Sequence, residues 1–217
     1  MSTCSATQNL HYSNVTSKRR KWLFLIVGSV AFVALIALLT RESEPSYLGK
    51  SLSHWVALYA NEEWGRKAAD HQGVSAFEAI QHIGTNGLPC LIRWIQYEGP
   101  LDAEVKQAQN ATLAFVPLGR DARTVIPDLM QILINTTSSN TETRAAYALT
   151  CIGKQAIPAI VAQLANTNPV ARARVVLLLG RVAGSDATLI QLLKNRYEDR
   201  DEAVRIAATN ASGADSR

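Results

Sequence analysis

Three body histidines, two body cysteines and one aromatic–basic trio are the residues here whose types could do chemistry. His54, His71 and His82 would be the first metal ligands to test. No two of them stand four apart on a helix with a carboxylate between, and Gly73 interrupts any helix joining His71 to His82. Surface histidines and no metal are therefore expected. Cys4, Cys90 and Cys151 are too few for a Cys4 zinc site or a disulfide-dense scaffold. Cys90 and Cys151 fall at helical positions of different segments and read as isolated, partly buried thiols. No activating His or cation can be assigned to them. There is no Gly-rich phosphate loop, so no catalytic residue, no cofactor and no enzyme activity is expected. Arg93, Trp94 and Tyr97 are the one candidate binding group, a basic residue beside two large aromatics at i, i+3. They suit a protein-binding hot spot, against the alternative that they pack on the preceding helix. Arg172, Arg174 and Arg181 cluster on one segment and read as a solvated helix face.

These residues must be positioned by the elements around them, and the charge pattern divides the chain first. The 217 residues carry 22 Lys and Arg against 18 Asp and Glu. Residues 1–17 have no charged side chain, and Lys18, Arg19, Arg20 and Lys21 form an unbroken basic block. From Arg41 to Arg217 the basic and acidic residues balance at 18 each. The excess of +4 is that block alone, and a neutral body argues against a nucleic-acid partner.

Trp22 to Thr40, WLFLIVGSVAFVALIALLT, carries no charge over 19 residues. As a helix it would span roughly 28 Å, close to the hydrocarbon core of a bilayer. The run is longer than a signal peptide's apolar region and has no A-x-A pattern near its end, so an uncleaved transmembrane helix is expected. Trp22 stands at its water–lipid boundary, and the basic block sets the orientation. The N-terminus is then cytoplasmic and the body extracytoplasmic, which in a Gram-negative cell means a single pass through the inner (plasma) membrane with a periplasmic domain.

Residues 1–17 read as a disordered cytoplasmic arm, 18–40 as basic flank and membrane helix, and 41–50 as a polar linker with Pro45 and Gly49. A preamble follows at 51–72. Leu52, Trp55, Val56 and Tyr59 recur at i, i+3, i+4, i+7 with Ser51 as N-cap, which predicts a one-faced helix with Trp55 inside and His54 outside.

Residues 73–212 hold an internal repeat, with 213–217 as a tail. Its first half reads small–apolar–x–x–apolar–Gly: Ala79-Ile80 with Ile83-Gly84, Ala114-Phe115 with Leu118-Gly119, and Ala148-Leu149 with Ile152-Gly153. Val175-Val176 with Leu179-Gly180 reads as a weaker fourth copy. Its second half reads apolar–Pro–x–apolar, in Leu88-Pro89-Cys90-Leu91, Ile126-Pro127-Asp128-Leu129 and Ile157-Pro158-Ala159-Ile160. Ala187-Thr188-Leu189-Ile190 has Thr in place of Pro. Gly ends a helix A in a left-handed turn, and Pro opens a helix B where its missing N–H costs nothing. Neither helix can bury its stripe alone, so pairs must stack. DEAVRIAATNAS, Asp201 to Ser212, predicts one more helix A capping the stack.

The A helix ending in Ile/Leu-Gly and the Ile-Pro-x-Leu start of helix B resemble short bacterial HEAT repeats, in the form of the phycobilisome-lyase-type HEAT-like repeats. Thr141 to Asn166 is the best copy. The resemblance covers about 75–212. It implies an α-solenoid of about four HEAT-like helix pairs, and with the N-terminal transmembrane helix read from the apolar run the expected fold is all-α. It also implies a binding surface rather than a reaction. The expected role is a membrane-tethered scaffold with an unknown protein partner. The alternatives are an accessory of an enzyme system, chromophore-lyase-like, or a HEAT-like nucleic-acid binder.

Overall fold

The computed structural model describes residues 44–61, 69–70 and 72–213. The expected arm, the membrane helix and residues 214–217 of the expected tail lie outside these residues, as do Lys18, Arg19, Arg20, Lys21, Trp22, Trp64 and His71, while Gly213 belongs to the last helix.

Most of the described chain is helical. The exception is where a linker was expected. Ser46–Tyr47 (β1) and Lys50–Ser51 (β2) pair antiparallel as a two-residue hairpin. Leu48 and Gly49, at φ 49° and 74°, both take the left-handed conformation that such a turn demands. The familiar Asn-Gly signal is missing from YLGK, so composition alone suggested a linker.

Leu52–Asn61 (α1) buries Leu52, Trp55, Val56 and Tyr59. The Ser51 hydroxyl accepts the His54 N–H at 3.3 Å, and the Glu44 carboxylate accepts the Ser53 N–H, so the helix start is capped twice. Ala76–Ile83 (α2) and Leu88–Ile95 (α3) form the first pair. Asp102–Leu113 (α4), Phe115–Leu118 (α5) and Ile126–Asn135 (α6) form the second. Ser139–Ile152 (α7) and Ile157–Gln163 (α8) are the third, and Pro169–Ala183 (α9) and Ala187–Lys194 (α10) the fourth. Glu202–Gly213 (α11) follows and packs on α9.

One burial rhythm repeats along the A helices. Ala76, Ala79, Ile80 and Ile83 in α2 match Ala145, Ala148, Leu149 and Ile152 in α7 and Val204, Ala207, Ala208 and Ala211 in α11. Each set is i, i+3, i+4, i+7, a single buried stripe. Small side chains dominate it, so neighbouring A helices approach closely. Leu91, Ile95, Leu129, Leu133 and Ile160 on the B helices complete one continuous core.

The second A helix is broken between α4 and α5. Pro117 has no N–H to give and its ring crowds the carbonyl four residues back, at Leu113, where α4 ends. This copy has three more residues between its Gly and its Pro than the first, Gly119 to Pro127 against Gly84 to Pro89, and they are taken up in a 3-10 stretch, Gly119–Val125.

The fourth copy differs from the sequence expectation. Gly180 does not end α9; the helix runs on to Ala183 and turns at Gly184, φ 46°. A Cβ built on Gly180 would lie 2.6 Å from the Ala211 Cβ. Gly180 is there because α11 crosses at that point, not because the chain turns. Helix α10 lacks the opening proline, and the Asp186 carboxylate replaces it by accepting the Thr188 and Leu189 N–H groups at 2.9 and 3.2 Å.

Among the described residues one stretch, Ser139–Gln163, is long and apolar enough to cross a membrane. It is α7 and α8 folded about Gly153, φ 74°, with Ala145, Leu149, Ile152 and Ile160 in the core. The stretch is a helix pair of the stack.

Candidate interaction surface

The structure gives each sequence-selected residue among those it describes a place. His54 is exposed, with its ring edge-on to Trp55 at 5.3 Å. His82 is exposed and stacked on Tyr47, centroids 4.6 Å apart and planes 7° off parallel. No group of three His, Cys, Asp or Glu among the described residues could hold a metal ion. Cys90 is buried on α3, and the Arg93 guanidinium folds back to donate to its Sγ at 3.7 Å. Cys151 is half-buried on α7, where burial pushes its thiol up to about 11. At neutral pH that sulfur is a protonated, weak nucleophile.

Arg93, Trp94 and Tyr97 have different surroundings. Arg93 is exposed, and Trp94 is half-buried with one side packed on the core. Tyr97 is committed to the turn between α3 and α4. Its hydroxyl donates to Glu104, which raises the phenol pKa, and accepts the Leu101 N–H at 3.4 Å. Gly99 leaves no room for a side chain against that ring.

The arginines of α9 are the largest departure from the sequence reading. Arg181 is exposed, as a solvated face requires. Arg172 is only 4% exposed and forms a bidentate pair with Asp199 at 2.8 and 3.2 Å. The guanidinium of Arg172 holds the Asp199 carboxyl below the usual carboxylate range. Arg174 donates to the Leu133 and Ile134 carbonyls at 3.1 and 3.2 Å, in the last turn of α6. Arg144, on α7, does the same for the Ile95 and Tyr97 carbonyls at 3.0 and 2.6 Å, at the end of α3. Each arginine satisfies carbonyls that a helix end leaves unpaired, at the negative end of the helix dipole. Net charge and spacing could not reveal this, because the acceptors are backbone atoms 40 or more residues away.

What remains on the surface is suited to contact. Tyr147 and Leu177, both three residues after a carbonyl-capping arginine, are 44% and 38% exposed on successive A helices. Between α1 and α4 lies an open groove of about 330 Å³. Val56, Ala57 and Ala103 line it, rimmed by Asn61, Lys106 and Asn110. Small side chains on both helices keep it open, and its polar groups are carboxamides, one ammonium and the Ser53 hydroxyl. That set can hold a chain segment by hydrogen bonds to its backbone.

Comparison with known proteins agrees with this geometry. Residues 126–213 match the family model of HEAT repeats. The match runs from the start of α6 to the end of α11. No curated protein matches the chain.

Proposed function

We propose that this chain is a single-pass, membrane-anchored helical-repeat scaffold that binds a protein partner outside the cytoplasm. The observation that carries the reading is the stack itself. Repeated A/B pairs share one buried rhythm, the HEAT-repeat match covers 126–213, and HEAT repeats commonly serve as protein-interaction scaffolds. The role is binding, not catalysis. The uncharged run Trp22 to Thr40 after Lys18–Lys21 supports an anchor with the N-terminus cytoplasmic. Arg93 and the open side of Trp94 are proposed contacts, with the α1–α4 groove as a second. Tyr97 contributes by shaping the turn.

Photoreactive residues placed at Arg93 and at Ala57 in living cells test the partner. A discrete protein adduct from either position supports the scaffold. Irradiation that yields no protein adduct from either well-expressed variant removes it. A reporter active only outside the cytoplasm, fused after Arg217, tests the topology. An inactive but well-expressed fusion overturns it.

A further inference from the structure

We propose that the tip of the β1–β2 hairpin is a lipid contact, with Leu48 seated in the headgroup region of the bilayer. The inference rests on the membrane-anchor reading and goes beyond it to a contact made by the body. Leu48 is 58% exposed, the most exposed large apolar side chain among the described residues. Exposed leucines are common, and Leu101, Val170 and Ile206 are exposed nearly as far. Leu48 differs from them in its backbone. At φ 49° it occupies the first central position of a turn where Asn, Asp and Gly are the low-energy residues. A bulky apolar residue in that conformation is a local conflict, and burial does not offset it, since more than half of the residue faces solvent. Such conflicts concentrate where an outside partner accounts for them.

Chain length chooses the partner. Only Arg41, Glu42 and Ser43 separate Thr40, the end of the apolar run, from Glu44, which caps α1. An extended chain of that length reaches about 14 Å, the depth of a headgroup layer or a little more. The hairpin is also fixed to the stack. Lys50 pairs with Asp70, Trp55 Nε1 donates to the Tyr47 carbonyl at 3.2 Å, and Leu52 N–H donates to the Pro45 carbonyl at 2.9 Å. The hairpin is thus held to the body by these bonds, and no more than that chain length separates its base from the end of the apolar run. Tyr47 and His82, stacked beside the tip, have the amphipathic rings that suit the interface.

The test places a diazirine-bearing amino acid at position 48 of the otherwise native full chain, in isolated membranes. A second variant carries it at Thr209, an exposed position on α11. Phospholipid adducts at 48 several-fold above those at 209 are expected. Equal labelling, or protein adducts in place of lipid at 48, overturns the proposal while leaving the anchor standing, provided the chain resists alkaline carbonate washing. Release by carbonate overturns the anchor and this contact together. Leu48→Asn suits the turn and keeps the fold. In a bilayer assay with nitroxide-labelled lipids it should halve or better the quenching of a probe on the hairpin, and unchanged quenching counts against a role for the leucine side chain.

Discussion

Arg172 and Asp199 show how much one pair of side chains holds together. The guanidinium bonds a carboxylate on the loop before α11 and also donates to the Asn166 and Thr167 carbonyls at 2.9 and 3.1 Å. Replacing Asp199 by Asn keeps the shape and removes the charge. It should cost about 1.5–3 kcal/mol, the range for a hydrogen bond to a charged group, in urea unfolding at pH 7. The pH dependence has a definite sign. Asp199 titrates lower folded than unfolded, so its contribution is present above the unfolded carboxylate value, about 3.9, and is lost as pH falls through the folded one. Stability of the parent should therefore fall more steeply below pH 4 than that of Asp199→Asn, and parallel profiles would remove the pair from the account. At Leu48 the expectation runs the other way. Leu48→Asn should raise stability by about 1 kcal/mol, because Asn tolerates the left-handed conformation that leucine resists. Thermal unfolding of the full chain in detergent checks it.

At the scale of elements, the α9–α11 contact is the most sensitive to size. Gly180→Ala would push a methyl into Ala211 and should cost about 1–3 kcal/mol by overpacking. Ala211→Gly in the same chain should recover part of that loss, and a double-mutant cycle reads the coupling. Zero coupling would mean the helices separate without strain. The same contact explains what the sequence could and could not disclose. Ala79, Ala148 and the prolines Pro89, Pro127 and Pro158 announced their helices because stripe spacing and first-turn prolines are local rules. Gly180 satisfied the local pattern for a helix end, yet the chain stays helical through it. Only the neighbour 31 residues on decides its role. The hairpin was hidden for a related reason, since its turn uses leucine where the local rule asks for asparagine. Of the candidate site, the place of Arg93 and Trp94 on the helix that Pro89 opens was legible, but the capture of Tyr97 by Glu104 and Gly99 was not. Those partners stand beyond the α3 stripe that suggested the trio.

For the whole molecule, the stack is a line of nearest-neighbour contacts, and its stability should be uneven along that line. Helix α7 packs against α4, α5, α6 and α9. Helix α11 packs on α9 and α10 with one side left exposed, Ile206 included. Amide exchange should therefore be slower in Ala145–Ile152 than in Val204–Ala211, measured by mass spectrometry on the full chain. Uniform protection would show one cooperative block instead. Leu149→Ala, at a fully buried central position, should cost about 2–5 kcal/mol in the same conditions.

The arginines that reach between repeats carry a consequence for how such a chain lengthens or shortens. Arg144 joins the third A helix to the end of the first B helix, and Arg174 joins the fourth to the end of the second. Both make the same step, and both end on carbonyls, which every residue possesses. Excising one full period would present Arg174 with the vacated partners of Arg144, chemically identical to its own. Cutting half a period would strand the guanidinium against a helix flank. The gene for such a protein can gain or lose whole units without redesigning its joints, but it cannot trade in fractions of one.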